Sequence, residues 1–249
     1  MFFTCFRPFV MFAAGLWMSV VEAGIVLNTT RVIYQSSDKE ASFGVHNSGG
    51  GEILLQSWLE APVKDAAAST GVAANLPFVV TPALARMAGG SRQLLRIIYA
   101  GTGLPQDRES VFWLNVQEIP QTAEENRLQI AIRQRIKVFF RPDGLKGDPL
   151  AAPETLQWRL LKNDVLQVDN PGPYHVSMLK VSTRQGTTEL VSLESQMLSP
   201  GQSLRLPLMH KSGSTPLRLS FISINDFGGQ VAYQATLDNG HTAQASKAQ

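Results

Sequence analysis

Cysteine is almost absent from this 249-residue chain: the only one, Cys5, lies in the N-terminal apolar segment. A mature chain without that segment would contain no cysteine, which excludes disulfides, thiolate catalysis and cysteine-ligated metal. The four histidines are His46, His175, His210 and His241. None lies three to five residues from another histidine or from a ligand-rich cluster, as metal sites usually require. We therefore expect no metal, and we interpret each histidine as a surface or turn residue.

Nucleotide-binding and hydrolase motifs are also missing. There is no Gly-x-x-x-x-Gly-Lys phosphate loop and no Gly-x-Ser-x-Gly nucleophile elbow. The paired carboxylates of Glu124 and Glu125 lie in a predicted loop, where we expect them to be solvated. The formal net charge is only +2, whereas a dedicated nucleic-acid-binding domain is strongly basic. These absences argue against an enzyme, a cofactor-dependent protein and a nucleic-acid binder.

Long hydrophobic runs are confined to the N-terminus. Arg7 is followed by an apolar run over residues 9–21, and a small-x-small cleavage site ends at Ala23, before Gly24. A membrane anchor is the alternative, but the run is shorter than the roughly 20 residues that cross a bilayer. We therefore predict a cleaved secretion signal at residues 1–23 and export of the mature chain. No second long apolar run follows, so we expect no membrane insertion.

The rest of the chain is dominated by apolar–polar alternation with a period of two, which predicts β-strands. The predicted strands are 25–34, 41–46, 53–59, 94–99, 111–116, 128–142, 156–161, 165–169, 174–181, 188–193, 217–224 and 231–237. Residues 142–149 are rich in proline and glycine and separate the strands into two series. The sequence thus predicts an all-β chain with two β-sandwich domains in tandem, at residues 24–142 and 143–249. The polar tail after residue 239 is expected to fray.

The predicted strand 128–142 has two very different faces. Leu128, Ile130 and Ile132 share one face, and the other is basic. An ordinary sandwich strand, with one face in the core and one in solvent, would explain the pattern. The alternative is an exposed edge strand that pairs with another protein. Burying three such anchors is worth on the order of 5–9 kcal/mol. One charge-assisted hydrogen bond gives about 1.5–3 kcal/mol, so the apolar row would supply most of the affinity.

Motifs around this strand favour a partner-binding role. The segments are TRVIY at 30–34, LPQDRES at 104–110, EIP at 118–120, IKVFFRP at 136–142 and SINDFGG at 223–229. In this order they resemble the periplasmic chaperones of chaperone–usher pilus assembly, and the resemblance covers nearly all of the predicted mature chain. It implies two immunoglobulin-like domains set as an L with a cleft between them. It also implies two partners, the pilus subunits and the outer-membrane usher that receives them.

The resemblance assigns roles to individual residues. Arg31 and Lys137 match the cations that bind the C-terminal carboxylate of a pilus subunit, which can accept several charge-assisted bonds. Leu128, Ile130 and Ile132 match the residues of a donor strand that fills the open core of an incomplete subunit. Since Ile132 and Lys137 are an odd number of residues apart, an ideal strand places them on opposite faces. A bulge or strong twist would be needed for both to meet one ligand.

The resemblance also implies an interdomain ion network of Glu109, Arg141 and Asp226, which sets the angle between the domains. The alternative for each is a surface ion pair worth about 0–1 kcal/mol. The short connection from Pro120 to Arg127 resembles the short-loop branch of the family, which is tied to rod-like pili. An exposed donor edge would also permit self-association of the free protein.

Two other functions fit an exported all-β chain. A secreted structural or adhesive pilus subunit with immunoglobulin-like domains should carry its own N-terminal donor extension and would not need Arg31 together with Lys137. A sugar-binding β-sandwich would need several exposed aromatic residues on one face. The sequence contains four Trp and four Tyr, which does not indicate such a patch.

Overall fold

The computed structural model describes residues 24–62, 76–121, 130–162, 164–209, 216–238 and 240–248. The predicted secretion signal at 1–23, the donor residue Leu128 and residues 122–127 of the short connection lie outside this set. The described residues form strands and one short 3₁₀ helix, Ala152–Thr155. None of their helices is long and apolar enough to cross a membrane.

The first sandwich is built from two packed sheets. Its strands are β1 (Ile25–Leu27), β2 (Arg31–Gln35), β3 (Ala41–Asn47), β4 (Ile53–Glu60), β5 (Phe78–Thr81), β6 (Leu84–Met87), β7 (Arg92–Tyr99), β8 (Ser110–Pro120) and β9 (Arg133–Arg141). One sheet has the order β1-β3-β7-β5 and the other β2-β9-β8-β4-β6. Alternate residues of both sheets face a shared core, in which Tyr34, Leu95 and Phe140 are almost fully buried.

The second sandwich repeats this plan with a separate core. Its strands are β10 (Gln157–Leu161), β11 (Val165–Asp169), β12 (Val176–Gln185), β13 (Thr188–Leu198), β14 (Ser203–Pro207), β15 (Leu217–Ile224), β16 (Gln230–Leu237), β17 (Thr242–Ala243) and β18 (Ser246–Lys247). The sheet orders are β14-β11-β10-β17 and β13-β12-β15-β16-β18. Trp158 lies at the centre of the core and packs against Phe221. The predicted all-β, two-sandwich fold is confirmed.

The segment 25–34, predicted as one strand, forms two strands in different sheets. β1 pairs antiparallel with β3, whereas β2 pairs parallel with β9 in the opposite sheet. The crossing is fixed at Asn28, whose backbone N–H donates to the carbonyl of Gly44 and whose side chain accepts from the N–H of Gly44. Alternation alone does not show where a strand changes sheets, because the inward-facing residues continue on both sides of the crossing.

The expectation of a frayed tail is wrong. β17 pairs with β10 and β18 pairs with β16, and Ala245 between them is buried in the second core. The short strands β5, β6 and β14 were also not predicted. In all these segments, hydrogen bonds between paired strands hold the backbone in place. Such pairing is hard to predict from sequence where a segment is polar or very short.

Candidate binding site at the domain interface

Strand β9 brings the candidate site residues to the boundary between the two sandwiches. Ile136, Val138 and Phe140 point into the first core, so Lys137 and the other odd-numbered residues lie on the opposite face. The register with β8 is regular from Arg133 to Phe140, without a bulge. Within this strand, therefore, the basic face and the core face stay opposite each other, as simple alternation requires.

Arg31 and Lys137 are direct cross-strand partners in the parallel β2–β9 pair, which places their side chains next to each other on one face of the sheet. Arg31 is only 9% exposed. Its Nη1 donates to the carbonyl oxygen of Ile224 in the second domain at 2.9 Å, and its guanidinium lies 5.7 Å from the ring centre of Phe139. Its Nε atom is buried without a hydrogen-bond partner among the described residues. The arginine thus keeps unused donor capacity.

Burial lowers the pKa of the Arg31 guanidinium, against the opposing effect of the negative charges of Asp226 and Glu109. Burial also lowers the pKa of the Lys137 ammonium, and the positive charge of Arg31 lowers it further. Among the described residues, no carboxylate pairs with the Lys137 side chain and none donates or accepts a hydrogen bond at its ammonium group. Two adjacent, partly desolvated cations form a site that favours an anion.

Trp113 is a further residue of this surface that the sequence did not single out. It is the cross-strand partner of Lys137 on β8. Its ring centre lies 5.5 Å from Lys137 Nζ and 4.3 Å from the guanidinium carbon of Arg135. Arg135 also forms a 3.2 Å ion pair with Glu60. The indole therefore lies close to two cations and limits where the Lys137 ammonium can lie. The sequence could have indicated Trp113, because it is an aromatic residue on the non-core face of the FWLN segment.

The two described donor residues, Ile130 and Ile132, lie just before β9 and not within it. Ile130 is 68% exposed and Ile132 is 39% exposed, and the ladder with β8 ends at the Gln117–Arg133 pair. Beyond that pair, Glu118 N–H donates to the Ile132 carbonyl at 3.1 Å. The prediction of a continuous strand over 128–142 is therefore wrong for residues 130–132, because β8 offers them almost no backbone partner. Both isoleucines have the parity of the core-facing row of β9, so extending this strand would continue that row beyond the sandwich.

The three predicted network residues meet at the domain interface. Arg141 Nη2 donates to Glu109 Oε1 at 2.7 Å and its Nε donates to the same oxygen at 3.1 Å. Its Nη1 and Nη2 donate to the two carboxylate oxygens of Asp226 at 2.8 and 3.2 Å. Burial acts to lower the pKa of Arg141, but the bonds and charges of both carboxylates outweigh it and raise this pKa. Only 8% of the Arg141 side chain and 1% of the Glu109 side chain are exposed, so the alternative of a surface ion pair does not hold for these two residues.

His175 completes this network, and the expectation of a surface or turn position is wrong for it. Its side chain is 3% exposed, and its Nδ1 lies 2.8 Å from Glu109 Oε2. Its backbone N–H donates to the same oxygen at 2.8 Å, and Glu109 N–H donates to the carbonyl of Pro173 at 2.9 Å. A histidine beside strand β12 in the second domain is thus tied to the residue that precedes β8 in the first. Only the tertiary structure brings it to Glu109, 66 residues away.

The SINDFGG motif is the turn between β15 and β16, and it aims Asp226 at the first domain. The Asn225 side chain accepts hydrogen bonds from the N–H groups of Phe227 and Gly229 at 3.1 and 2.8 Å. Gly228 has a φ of +81°, and a Cβ at this position would lie only 2.6 Å from Thr30 Oγ1. A glycine is therefore required both for the turn and for its close approach to the residue before Arg31.

A cavity of about 140 Å³ lies between the domains and is lined by Arg31, Phe139, Arg141 and residues 223–226 of the SINDFGG segment. Lys137 is outside it. Within the described part of the chain, no cluster of three or more His, Cys, Asp or Glu residues is arranged to hold a metal ion. The chemistry available at this interface is the binding of anionic and apolar groups.

Two family models match this chain, one for each domain. The family described as "Pili and flagellar-assembly chaperone, PapD N-terminal domain" matches residues 24–146, and "Pili assembly chaperone PapD, C-terminal domain" matches residues 151–235. The chain belongs to the pilus-assembly chaperone family. The predicted resemblance to these chaperones is confirmed, and membership does not favour the alternative of a secreted adhesive subunit.

Individual relatives of this pilus-assembly chaperone match over most of their length. The probable fimbrial chaperone YadV of Escherichia coli K12 is 37% identical over 226 residues, which cover 86% of this chain and 90% of the relative. The chaperone FimB/FhaD of Bordetella pertussis is 39% identical over 223 residues, covering 86% and 88%.

Solved structures show the same fold. The crystal structure of the YadV chaperone superposes with a TM-score of 0.72 at 36% identity and covers 86% of this chain and 100% of that one. The Salmonella enterica structure of SafA pilin in complex with the SafB chaperone contains a chain with a TM-score of 0.68 at 29% identity, covering 86% and 96%.

Proposed function

We propose that this chaperone acts in the periplasm, where it binds pilus subunits, caps them and delivers them to an outer-membrane usher. In this proposal residues 1–23 are a secretion signal cleaved after Ala23. Residues 24–142 form the subunit-binding domain, and residues 143–249 form the domain that completes the cleft. The periplasmic location is supported by the solved relative described as the periplasmic chaperone SfaE, which is 32% identical to this chain.

The observation that carries the proposal is the pair of adjacent cations, Arg31 and Lys137. Burying like charges side by side is unfavourable, and no carboxylate of the described residues is paired with Lys137. A C-terminal carboxylate of a subunit would accept charge-assisted hydrogen bonds from both and would relieve their repulsion. The site thus fits a chain end better than an internal segment.

The apolar row of Leu128, Ile130 and Ile132 would then serve as the donor strand. Ile130 and Ile132 are exposed, so they are available to a subunit that lacks a strand of its own sandwich. Ile130 and Ile132 continue the core-facing row, whereas Lys137 lies on the other face of the strand. The C-terminal segment of the subunit would pair with β9 and then turn into the domain interface, where its end would reach Arg31 and Lys137. Subunit capture therefore needs no bulge between Ile132 and Lys137.

Two further partners belong to the proposal. The usher would receive the loaded chaperone, as the pilus-assembly family implies. A second copy of the chaperone would cover the exposed donor segment in the absence of subunits, because an unpaired apolar edge favours strand pairing. The complex of SafA pilin with the SafB chaperone among the similar structures supports a pilus subunit as the primary ligand.

A periplasmic pull-down with the tagged mature protein tests the proposal directly. Wild type should retain a small secreted β-protein that Arg31→Ala and Lys137→Ala lose, provided that the native appendage genes are expressed. Arg96→Ala is the matched control, because it removes an exposed arginine that pairs with Glu40 on the opposite sheet of the same domain.

A second pull-down isolates the carboxylate. A subunit extended by two residues beyond its natural C-terminus should bind wild type more weakly than the natural subunit does. The extended and the natural subunit should bind Lys137→Ala about equally. Equal recovery of the natural subunit by wild type and both cation variants would contradict carboxylate anchoring and leave only the strand contact.

A further inference from the structure

The beginning of the predicted mature chain is hydrogen-bonded to both sheets at one end of the first sandwich. The carbonyl of Gly24 accepts hydrogen bonds from the backbone N–H and the hydroxyl of Ser48 at 2.9 and 3.2 Å. Ile25 is 3% exposed, and its carbonyl accepts from the side-chain amide of Gln134 on β9 at 2.6 Å. Both sheets of the sandwich therefore bind the backbone of the first two residues.

A buried carboxylate lies against Gly24. Glu118 on β8 is 5% exposed and has the parity of the core face. Its Oε2 atom occupies the space that a Cβ on Gly24 would fill. Since that Cβ and the backbone nitrogen share one Cα, the nitrogen lies within about 4 Å of this oxygen. Gly24 is thus a position where the absence of a side chain lets a carboxylate reach the backbone.

The two oxygens of Glu118 differ in what they bind. Oε1 accepts from the N–H of Ile132 at 3.3 Å. Oε2 is buried without a hydrogen-bond partner among the described residues. An unpaired buried carboxylate oxygen is costly, and such groups in native proteins usually have a partner. The side chains that bond the neighbouring backbone, those of Ser48 and Gln134, are uncharged and do not supply a counter-ion.

Hydrolysis of the Ala23–Gly24 bond would supply that counter-ion. It leaves a carboxylate on Ala23 and an α-ammonium group with three donors on Gly24, where the precursor has one uncharged amide N–H. We propose that Glu118 is the internal partner of the processed N-terminus and pairs through Oε2 with the α-ammonium of Gly24. This inference rests on the cleavage site in the proposed function, and it assigns a role to the glutamate of the EIP segment.

The pair would connect export to the donor segment. Glu118 binds Ile132 twice, through its backbone N–H and through Oε1, and Ile132 is the last residue of the apolar donor row. Removal of the secretion signal would therefore fix the position of the Glu118 carboxylate, which binds Ile132 at the end of this row. The precursor, which lacks the charged group, would hold Ile132 less firmly than the exported chain.

The test uses the mature protein purified from the periplasm, with its N-terminal residue determined by intact mass. Nuclear magnetic resonance titration should give Gly24 an α-amino pKa at least one unit above the ordinary value of about 8. Glu118→Gln should return this pKa to the ordinary range. Glu52→Gln, which removes a carboxylate bound to Arg86 and Gln121 nearby, should leave it unchanged.

A chemical cycle tests the pair without relying on one variant. N-terminal transamination converts the α-amino group to a carbonyl and removes its charge. It should lower the urea midpoint of wild type and speed hydrogen exchange at the Ile132 amide at least several-fold, with little effect on either measurement in Glu118→Gln. An ordinary α-amino pKa in wild type, or equal effects of transamination in both proteins, would overturn the pair.

Failure of this inference is distinguishable from failure of the proposed function. An N-terminus other than Gly24 would overturn both the cleavage site and the pair. Subunit capture by wild type, together with Gly24 as first residue and no coupling to Glu118, would overturn the pair alone.

Discussion

Trp113 and Lys137 are direct cross-strand partners on β8 and β9, and the centre of the indole ring lies 5.5 Å from the lysine ammonium. The centre of the same ring lies 4.3 Å from the guanidinium carbon of Arg135. The lysine that the resemblance assigns to subunit binding is therefore positioned by an aromatic residue. Replacing Trp113 with leucine should weaken subunit capture by about 2- to 5-fold, since a partly exposed cation–π contact is worth about 0.5–1 kcal/mol.

The Trp113→Leu prediction is checked by titrating labelled subunit into each chaperone. Trp113→Tyr, which keeps an aromatic face, should recover most of the affinity. Equal loss in the leucine and tyrosine variants would show that the indole acts by shape and not by holding the cation.

Lys137 should lower the stability of the free chaperone, although it strengthens the binding of a subunit. Lys137→Met removes a partly desolvated charge next to Arg31, so it should raise the free energy of unfolding at neutral pH by on the order of 0.5 kcal/mol. It should weaken subunit binding by about 10- to 100-fold, the equivalent of one charge-assisted hydrogen bond of about 1.5–3 kcal/mol. Urea unfolding and subunit titration measure the two effects separately.

The same lysine predicts a pH dependence. Because its pKa is lowered in the folded state, the unfolded chain binds more protons between that lowered value and the ordinary lysine value of 10.5. The stability difference between wild type and Lys137→Met should therefore shrink as pH rises through this window and stay constant below it. A difference that grows with pH would contradict the assigned direction.

Glu109 should matter more than Asp226 for the interface. The Glu109 side chain is 1% exposed and binds both Arg141 and His175, whereas the Asp226 side chain is 24% exposed and, among the described residues, pairs with Arg141 only. Leaving a buried charge unpaired costs about 3–5 kcal/mol. Glu109→Gln should therefore destabilise the protein strongly, and Asp226→Ala should leave the first domain folded but loosen the angle between the domains.

Solution scattering and urea unfolding distinguish the Glu109 and Asp226 variants. The control is Glu40→Gln, which removes an exposed partner of Arg96 and should change neither measurement. An unchanged scattering profile for Asp226→Ala would count against its role in setting the interdomain angle.

Ile130 and Ile136 belong to the same row of even-numbered residues, but replacing each with serine should affect a different property. For Ile130 the property is subunit binding, and for Ile136 it is the stability of the chaperone. Ile130 is 68% exposed, so Ile130→Ser should change stability by less than about 0.5 kcal/mol. It should weaken subunit capture at least 10-fold if burial of this side chain is worth about 1.5–3 kcal/mol. Ile136 is 9% exposed in the core, so Ile136→Ser should destabilise the chaperone itself by about 2–5 kcal/mol. Equal subunit binding by wild type and Ile130→Ser would remove this residue from the donor role.

The sequence alone determined the fold class and much of the site. Alternation with a period of two is a local property of strands, so it indicated the two series of strands on either side of residues 142–149. The placement of Glu109, Arg141 and Asp226 in one network came from motifs that resemble a known family, and their contacts agree with it. The opposite faces of Ile136 and Lys137 follow from the pleat itself.

Tertiary structure decided what depends on residues distant in the chain. His175 meets Glu109, Trp113 lies close to two cations, and Glu118 lies against Gly24 only because strands from separate segments pair in a particular order. The sheet change between β1 and β2, and the ordered tail strands β17 and β18, likewise depend on ladders whose partners lie far away in sequence. Local pattern fixes which face a side chain occupies, but the neighbour across the ladder is set by the packing of the whole sandwich.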